Sequence, residues 1–226
     1  MTKKALIAGS SGLIGNELLH QLLDSGYYSE IISIVRKPSG NSHPKLVEHT
    51  IDFDKLTEYP HLFMVEDVFC CLGTTIKKAK SKEAFKKVDF HYPTIMANLS
   101  LESNCVNSFS VVSAIGADPN SSIFYNKVKG EMEQEISDKG ITNTLIYRPS
   151  LLLGQRKDFR FAEKLSSILI RPFMFLFFGS LSKYKPIKAQ TVAKAMISHV
   201  HNLDKHQNAK QKSSSIVYYK QMKLSK

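Results

Sequence analysis

Short apolar runs alternate along the chain with longer stretches in which apolar and polar positions recur every three or four residues. The short runs predict strands at residues 4–8, 30–35, 45–51, 67–71, 108–113 and 142–147, with 215–219 as a candidate for a last one. The periodic stretches predict helices over residues 13–25, 82–103, 125–139, 161–178 and 191–202. A parallel pair of strands needs a long crossover between them, so strand–helix alternation predicts an α/β fold with a doubly wound parallel sheet. We read one domain over residues 1–226, with 150–190 as a substrate-side lid or extension and 203–226 as a basic tail.

The first predicted strand runs directly into Gly9-Ser10-Ser11-Gly12-Leu13-Ile14-Gly15, which opens the first helix. Glycines at this spacing allow a tight turn and let backbone N–H groups approach a pyrophosphate, where the helix N-terminus adds partial positive charge. Ser10 and Ser11 can add hydroxyl contacts. With 11 glycines in the whole chain, this placement is too specific for loop punctuation and predicts a dinucleotide site. The expected architecture is therefore the Rossmann sheet, in strand order 3-2-1-4-5-6.

The second strand ends in Arg36-Lys37, where an NAD-preferring protein places an acidic residue for the ribose 2′-hydroxyl. The reversed charge predicts NADP(H): Arg36 can bond a 2′-phosphate through its planar fork and stack on adenine, with Lys37 as a second cation. Asp52 and Phe53, after the third strand, are placed to edge the adenine. Leu72-Gly73-Thr74, after the fourth, stands at the carboxyl edge of the sheet as a cleft wall.

Reduction of a carbonyl by nicotinamide needs a proton donor at the carbonyl oxygen. Tyr125 and Lys129 lie four residues apart, on one face of a helix, so the ammonium can lower the phenol's pKa and reach the nicotinamide ribose. The chain holds three such Tyr/Lys spacings. Pro186 interrupts Tyr184/Lys188, and Tyr219/Lys223 falls in the last strand and tail; only Tyr125/Lys129 opens a helix after a strand ending in serine. That serine, Ser113, can anchor the substrate carbonyl.

Composition narrows the remaining classes. A 42% hydrophobic, 23% charged chain has the make-up of a globular domain with a sizeable core. No secretory leader pattern is read at the start, and Cys70, Cys71 and Cys105 have neither disulfide-framework nor zinc spacing, so a reduced, cytoplasmic protein without a metal is expected. The net charge of +11 is spread over lysines at 77–87 and 205–226 without interleaved aromatics, which predicts no specific nucleic-acid partner. The apolar segment 165–178 is split by Arg171-Pro172 and is too short to span a bilayer, which suits a cleft cover or a homo-oligomer contact.

Taken together, Gly9-Ser-Ser-Gly12, Asp52-Phe53, Cys70-Cys-Leu-Gly-Thr-Thr75, Val88-Asp89, Gly116-Ala-Asp118, Tyr125-Asn-Lys-Val-Lys129-Gly-Glu131, Tyr147-Arg-Pro149 and Phe178-Gly-Ser-Leu181 resemble the atypical short-chain dehydrogenase/reductase superfamily, and within it the Tat-interactive oxidoreductase-like family and its bacterial relatives. The resemblance implies a Rossmann fold, NADPH binding, a Ser113/Tyr125/Lys129 site, and Arg148-Pro149-Ser150-Leu151 bordering the nicotinamide. Asp89 departs from the Asn that many superfamily members carry, so a proton relay built on that Asn does not carry over. The expected function is an NADPH-dependent oxidoreductase acting on a small carbonyl compound; the alternative is an NADP(H)-binding regulator or sensor with little turnover.

Overall fold

The computed structural model describes residues 3–153, 184–205 and 213–224. Among them the strands are β1 (Lys3–Ala8), β2 (Tyr28–Val35), β3 (Leu46–Thr50), β4 (Asp67–Cys70), β5 (Ser108–Val112), β6 (Asn143–Tyr147), β7 (Leu152–Leu153), β8 (Ile187–Lys188) and β9 (Ser213–Val217). Seven pair in parallel in the order β3-β2-β1-β4-β5-β6-β9, while β7 and β8 make a separate two-stranded parallel ladder. The expected order is present, extended by β9 on the outer side of β6. The helices are α1 (Leu13–Asp24), α2 (Ile76–Ala79), α3 (Lys82–Lys86), α4 (Tyr92–Glu102), α5 (Phe124–Asp138), α6 (Ala189–Lys205) and α7 (Tyr219–Leu224). The helix expected at 161–178 lies outside the described residues, as do the parts of the lid at 154–183 and of the tail at 206–212.

Strand alternation explains the three layers. Ala5 and Ile7 of β1 and Phe69 of β4 pack with Leu18, Leu22, Val192 and Met196 of α1 and α6. Leu6, Ala8, Val68 and Cys70 point the other way, onto Met96 and Ala97 of α4 and Met132 and Ile136 of α5. A strand covered on both faces has no polar side, which is why these runs read as continuously apolar. One polar group is nevertheless buried at the amino-terminal edge: Asp67 accepts from Ser108 Oγ (2.5 Å) and Tyr28 OH (3.0 Å), and burial pushes its carboxyl above the usual range. That edge is opposite the glycine turn.

The carboxyl ends of β6 and β9 are tied to α5 by Arg148. Its guanidinium makes a bidentate pair with the buried Glu133 of α5, through Nε to Oε1 (2.9 Å) and Oε2 (3.0 Å) and through a second nitrogen to Oε2. It also donates to Tyr218 OH (3.0 Å), and its backbone N–H donates to Val217 O (3.0 Å). Removing one partner of such a pair strands the other charge in the interior. Arg148→Met is therefore expected to lower stability by about 2–4 kcal/mol in urea unfolding; a loss within experimental error of zero would mean that the pair does not hold the C-terminal strand in place.

Candidate active site

The turn between β1 and α1 is built by two glycines that admit no side chain. Gly9 has φ +84°, and a Cβ there would stand 2.5 Å from Cys71 O. A Cβ on Gly15 would stand 2.1 Å from Gly9 O. The helix therefore starts pressed against its own turn and against the end of β4. Gly12, the N-cap, offers no side chain to the first-turn N–H groups, and no acidic residue lies in that turn, so the positive end of α1 is open to an anion. Of the two serines expected to add hydroxyls, Ser10 is buried with Oγ 2.9 Å from Ser33 Oγ of β2, fastening the turn to the sheet; Ser11 is exposed. Leu13 is half-buried and Ile14 belongs to the core.

Arg36 and Lys37 are exposed just past the end of β2. Phe53 is core, its ring 5.5 Å from that of Tyr92, while exposed Asp52 accepts from Asp54 N–H (3.0 Å) and so caps the 3-10 turn that follows. Tyr92 was not foreseen. Its hydroxyl donates to Asp54 Oδ1 (2.6 Å), which Lys87 also approaches (2.7 Å to Oδ2). Burial and then Asp54 push the Tyr92 phenol up, against a smaller downward pull from Arg36, so Arg36 belongs to the same electrostatic neighbourhood.

Ser113 follows β5. Its N–H donates to Tyr147 O (2.7 Å), yet its Oγ is buried with no hydrogen-bond partner among the described residues. A buried hydroxyl left unpaired is costly unless something else completes it. Tyr125 lies in the first turn of α5, its ring 5.6 Å from that of Phe85. One turn on, Lys129 is buried; burial pulls its ammonium down, but Asp89 and then Tyr125 outweigh that and hold it above its ordinary value.

The partner of Lys129 comes from an irregular element. α3 and α4 are one helix interrupted by a π-helical turn, Lys87–His91, and this turn carries Asp89 inward. Lys129 Nζ lies 2.8 Å from Asp89 Oδ1 and 3.5 Å from Val112 O, while Asp89 Oδ2 accepts from Thr74 N–H (2.8 Å). A Cβ on Gly73 would meet Asp89 Oδ1 at 3.4 Å. The Leu72-Gly73-Thr74 segment expected as a cleft wall is thus joined to Lys129 through Asp89. Nothing in local spacing signals a contact between residues forty positions apart.

The segment expected beside the nicotinamide is held largely by its own neighbours. Arg148 is engaged by Glu133 and Tyr218. Pro149 O accepts from Ile115 N–H (3.1 Å), Ser150 Oγ donates to Lys185 O, and Leu151 O accepts from Ile187 N–H (3.0 Å) while its side chain is exposed. No group of three or more metal-ligating side chains is found among the described residues, and no described helix is long and apolar enough to cross a membrane.

No family model matches the chain. Protein HTATIP2 of Rattus norvegicus is 33% identical to it over 207 residues, spanning 88% of this chain and 81% of that protein. A protein of Debaryomyces hansenii named FMP52, mitochondrial, is 28% identical over 200 residues, 85% of each. Among solved structures, the enzyme WbmH of Bordetella bronchiseptica in complex with NAD+ superposes with a TM-score of 0.67 at 16% identity, over 89% of this chain and 73% of that one. The structural likeness is one of fold, and the sequence likeness to HTATIP2 extends over 88% of the chain. The chain belongs to the HTATIP2 family, and its doubly wound parallel sheet has the Rossmann fold shared with that NAD+-bound structure.

Proposed function

We propose that the chain is an NADPH-dependent reductase of a small carbonyl compound. The observation that carries this reading is the buried Ser113 Oγ, without a hydrogen-bond partner among the described residues and one residue past Val112, whose carbonyl lies 3.5 Å from Lys129 Nζ, where a substrate oxygen would complete it. The dinucleotide fits the residues present: Gly9, Gly12 and Gly15 form a turn without side chains at an uncapped helix start, Arg36 and Lys37 are exposed where a 2′-phosphate would lie, and Lys129 is held for the nicotinamide ribose. Bound in its reduced form, the nicotinamide supplies the hydride that goes to the carbonyl carbon. Ser113 Oγ orients the carbonyl, and Tyr125 Oη gives its proton to the oxygen, so that an alcohol results and solvent later returns a proton to Tyr125. Three free cysteines suit a reducing compartment, which we take to be the cytoplasm.

The cofactor assignment rests on Arg36. NADPH is expected to bind more tightly than NADH in a fluorescence titration, and Arg36→Ala to narrow the difference by about tenfold or more, the scale of one charge-assisted phosphate contact. Equal affinities in the unmodified protein would remove the basis for NADP(H).

The chemical assignment rests on Tyr125. In a screen of aldehydes, ketones and quinones for NADPH oxidation, Tyr125→Phe is expected to cut turnover by about 100-fold or more while leaving NADPH affinity nearly intact. Activity that survives the change would show another acid at work. Tight NADPH binding with no carbonyl reduced would favour the sensor reading instead.

A further inference from the structure

A charged side chain can set a dinucleotide preference only if it is held where the phosphate lies, and Arg36 and Lys37 sit outside regular structure, just past the end of β2. A long exposed side chain on a loose segment loses much of its contact energy to ordering. This segment is fixed at both ends. On one side Val35 O accepts from Ile51 N–H (2.9 Å), which holds the end of the strand. On the other, Ser39 N–H donates to Glu48 Oε1 of β3 (2.8 Å), and Ser39 Oγ accepts from Asn41 N–H (3.1 Å). Three residues lie between the two fixed points, and one of them, Pro38, has its φ set by its ring.

The strand register gives the direction of the bend. Glu48 is the partner of Ser33, two positions before Val35 and Thr50, and partners in register point to the same face of the sheet. Ser33 Oγ meets Ser10 of the glycine turn, so the Glu48 carboxylate belongs to the face that carries this turn. The chain leaves β2, bends at Arg36 and Lys37, and turns back towards that face to reach Glu48. Glu48 Oε2 is buried without a hydrogen-bond partner, so among the described residues the Ser39 N–H is what this carboxylate holds.

We propose that Glu48 is a positioning residue for the choice of cofactor: by accepting the Ser39 N–H it anchors the bend that carries Arg36 and Lys37, so that both cations are presented to the 2′-phosphate of NADP(H). The role rests on the NADP(H) reading above and adds a residue that acts through the loop. The negative charge of Glu48 by itself works against a phosphate, so a fair test holds the charge constant.

Glu48→Gln and Glu48→Ala both remove that charge, and the first alone keeps an acceptor for the Ser39 N–H. In fluorescence titrations of the full chain, Glu48→Ala is expected to bind NADPH about threefold or more weaker than Glu48→Gln, the scale of one net hydrogen bond, while the two bind NADH alike. A merely structural role would weaken both nucleotides together. With Arg36→Ala and Lys37→Ala also in place, the difference between the two Glu48 variants should vanish, because the anchored bend then carries no cation. Should Glu48→Ala not fold, Glu48→Val, apolar and suited to a strand, makes the same comparison. Equal NADPH affinity in the two variants, or a loss shared with NADH, would overturn the role of Glu48 while leaving the NADPH preference of the unmodified protein standing. Equal affinities of the unmodified protein for the two nucleotides would sink the NADP(H) reading itself, and the role of Glu48 with it.

Discussion

A buried carboxylate with two donors on it joins the halves of the candidate site. Asp89 takes the Thr74 N–H from the loop after β4 and the ammonium of Lys129 from α5, and both charged side chains are almost wholly out of water. Either charge left alone there would destabilise the fold by several kcal/mol, so the pair forms together or not at all. The loop that walls the cleft and the helix that carries Tyr125 are thereby held in one arrangement.

The same economy of buried polar groups explains the rest of the carboxyl edge. Ser10 is satisfied by Ser33, Arg148 by Glu133 and Tyr218, and Ser150 by Lys185, so each of these polar side chains serves the scaffold. Ser113 Oγ, just past the end of β5, is one of the few buried polar side-chain atoms that no described residue completes. The amino-terminal edge has its own polar set, in which Asp67 meets Ser108, Tyr28 and Lys3.

Much of this was legible in the residues because the signals are local. The glycine spacing marks the β1–α1 turn, apolar runs mark strands buried on both faces, and the Tyr125/Lys129 spacing marks a helix face. The last strand was read two residues late, at 215–219 in place of Ser213–Val217, because Ser213, Ser214 and Ser215 are polar and exposed and carry no hydrophobic signal. The helix expected at 82–103 is there, but its π-helical turn leaves the hydrophobic period almost undisturbed and could not be seen. Nor could the long-range pairings, Asp89 with Lys129 and Arg148 with Glu133, since each depends on elements that meet only in the folded chain. Ser10, read as a ligand contact, shows how a short polar side chain beside a glycine turn can equally face inward.

The most direct measurement is a crystal structure of the full chain grown with NADPH. The pyrophosphate is expected over the Gly9 to Gly15 turn, the 2′-phosphate at Arg36, and the nicotinamide in the cleft of Ser113 and Tyr125 with its ribose at Lys129. A nucleotide bound away from that edge, or none at millimolar concentration, would contradict the assignment of this cleft.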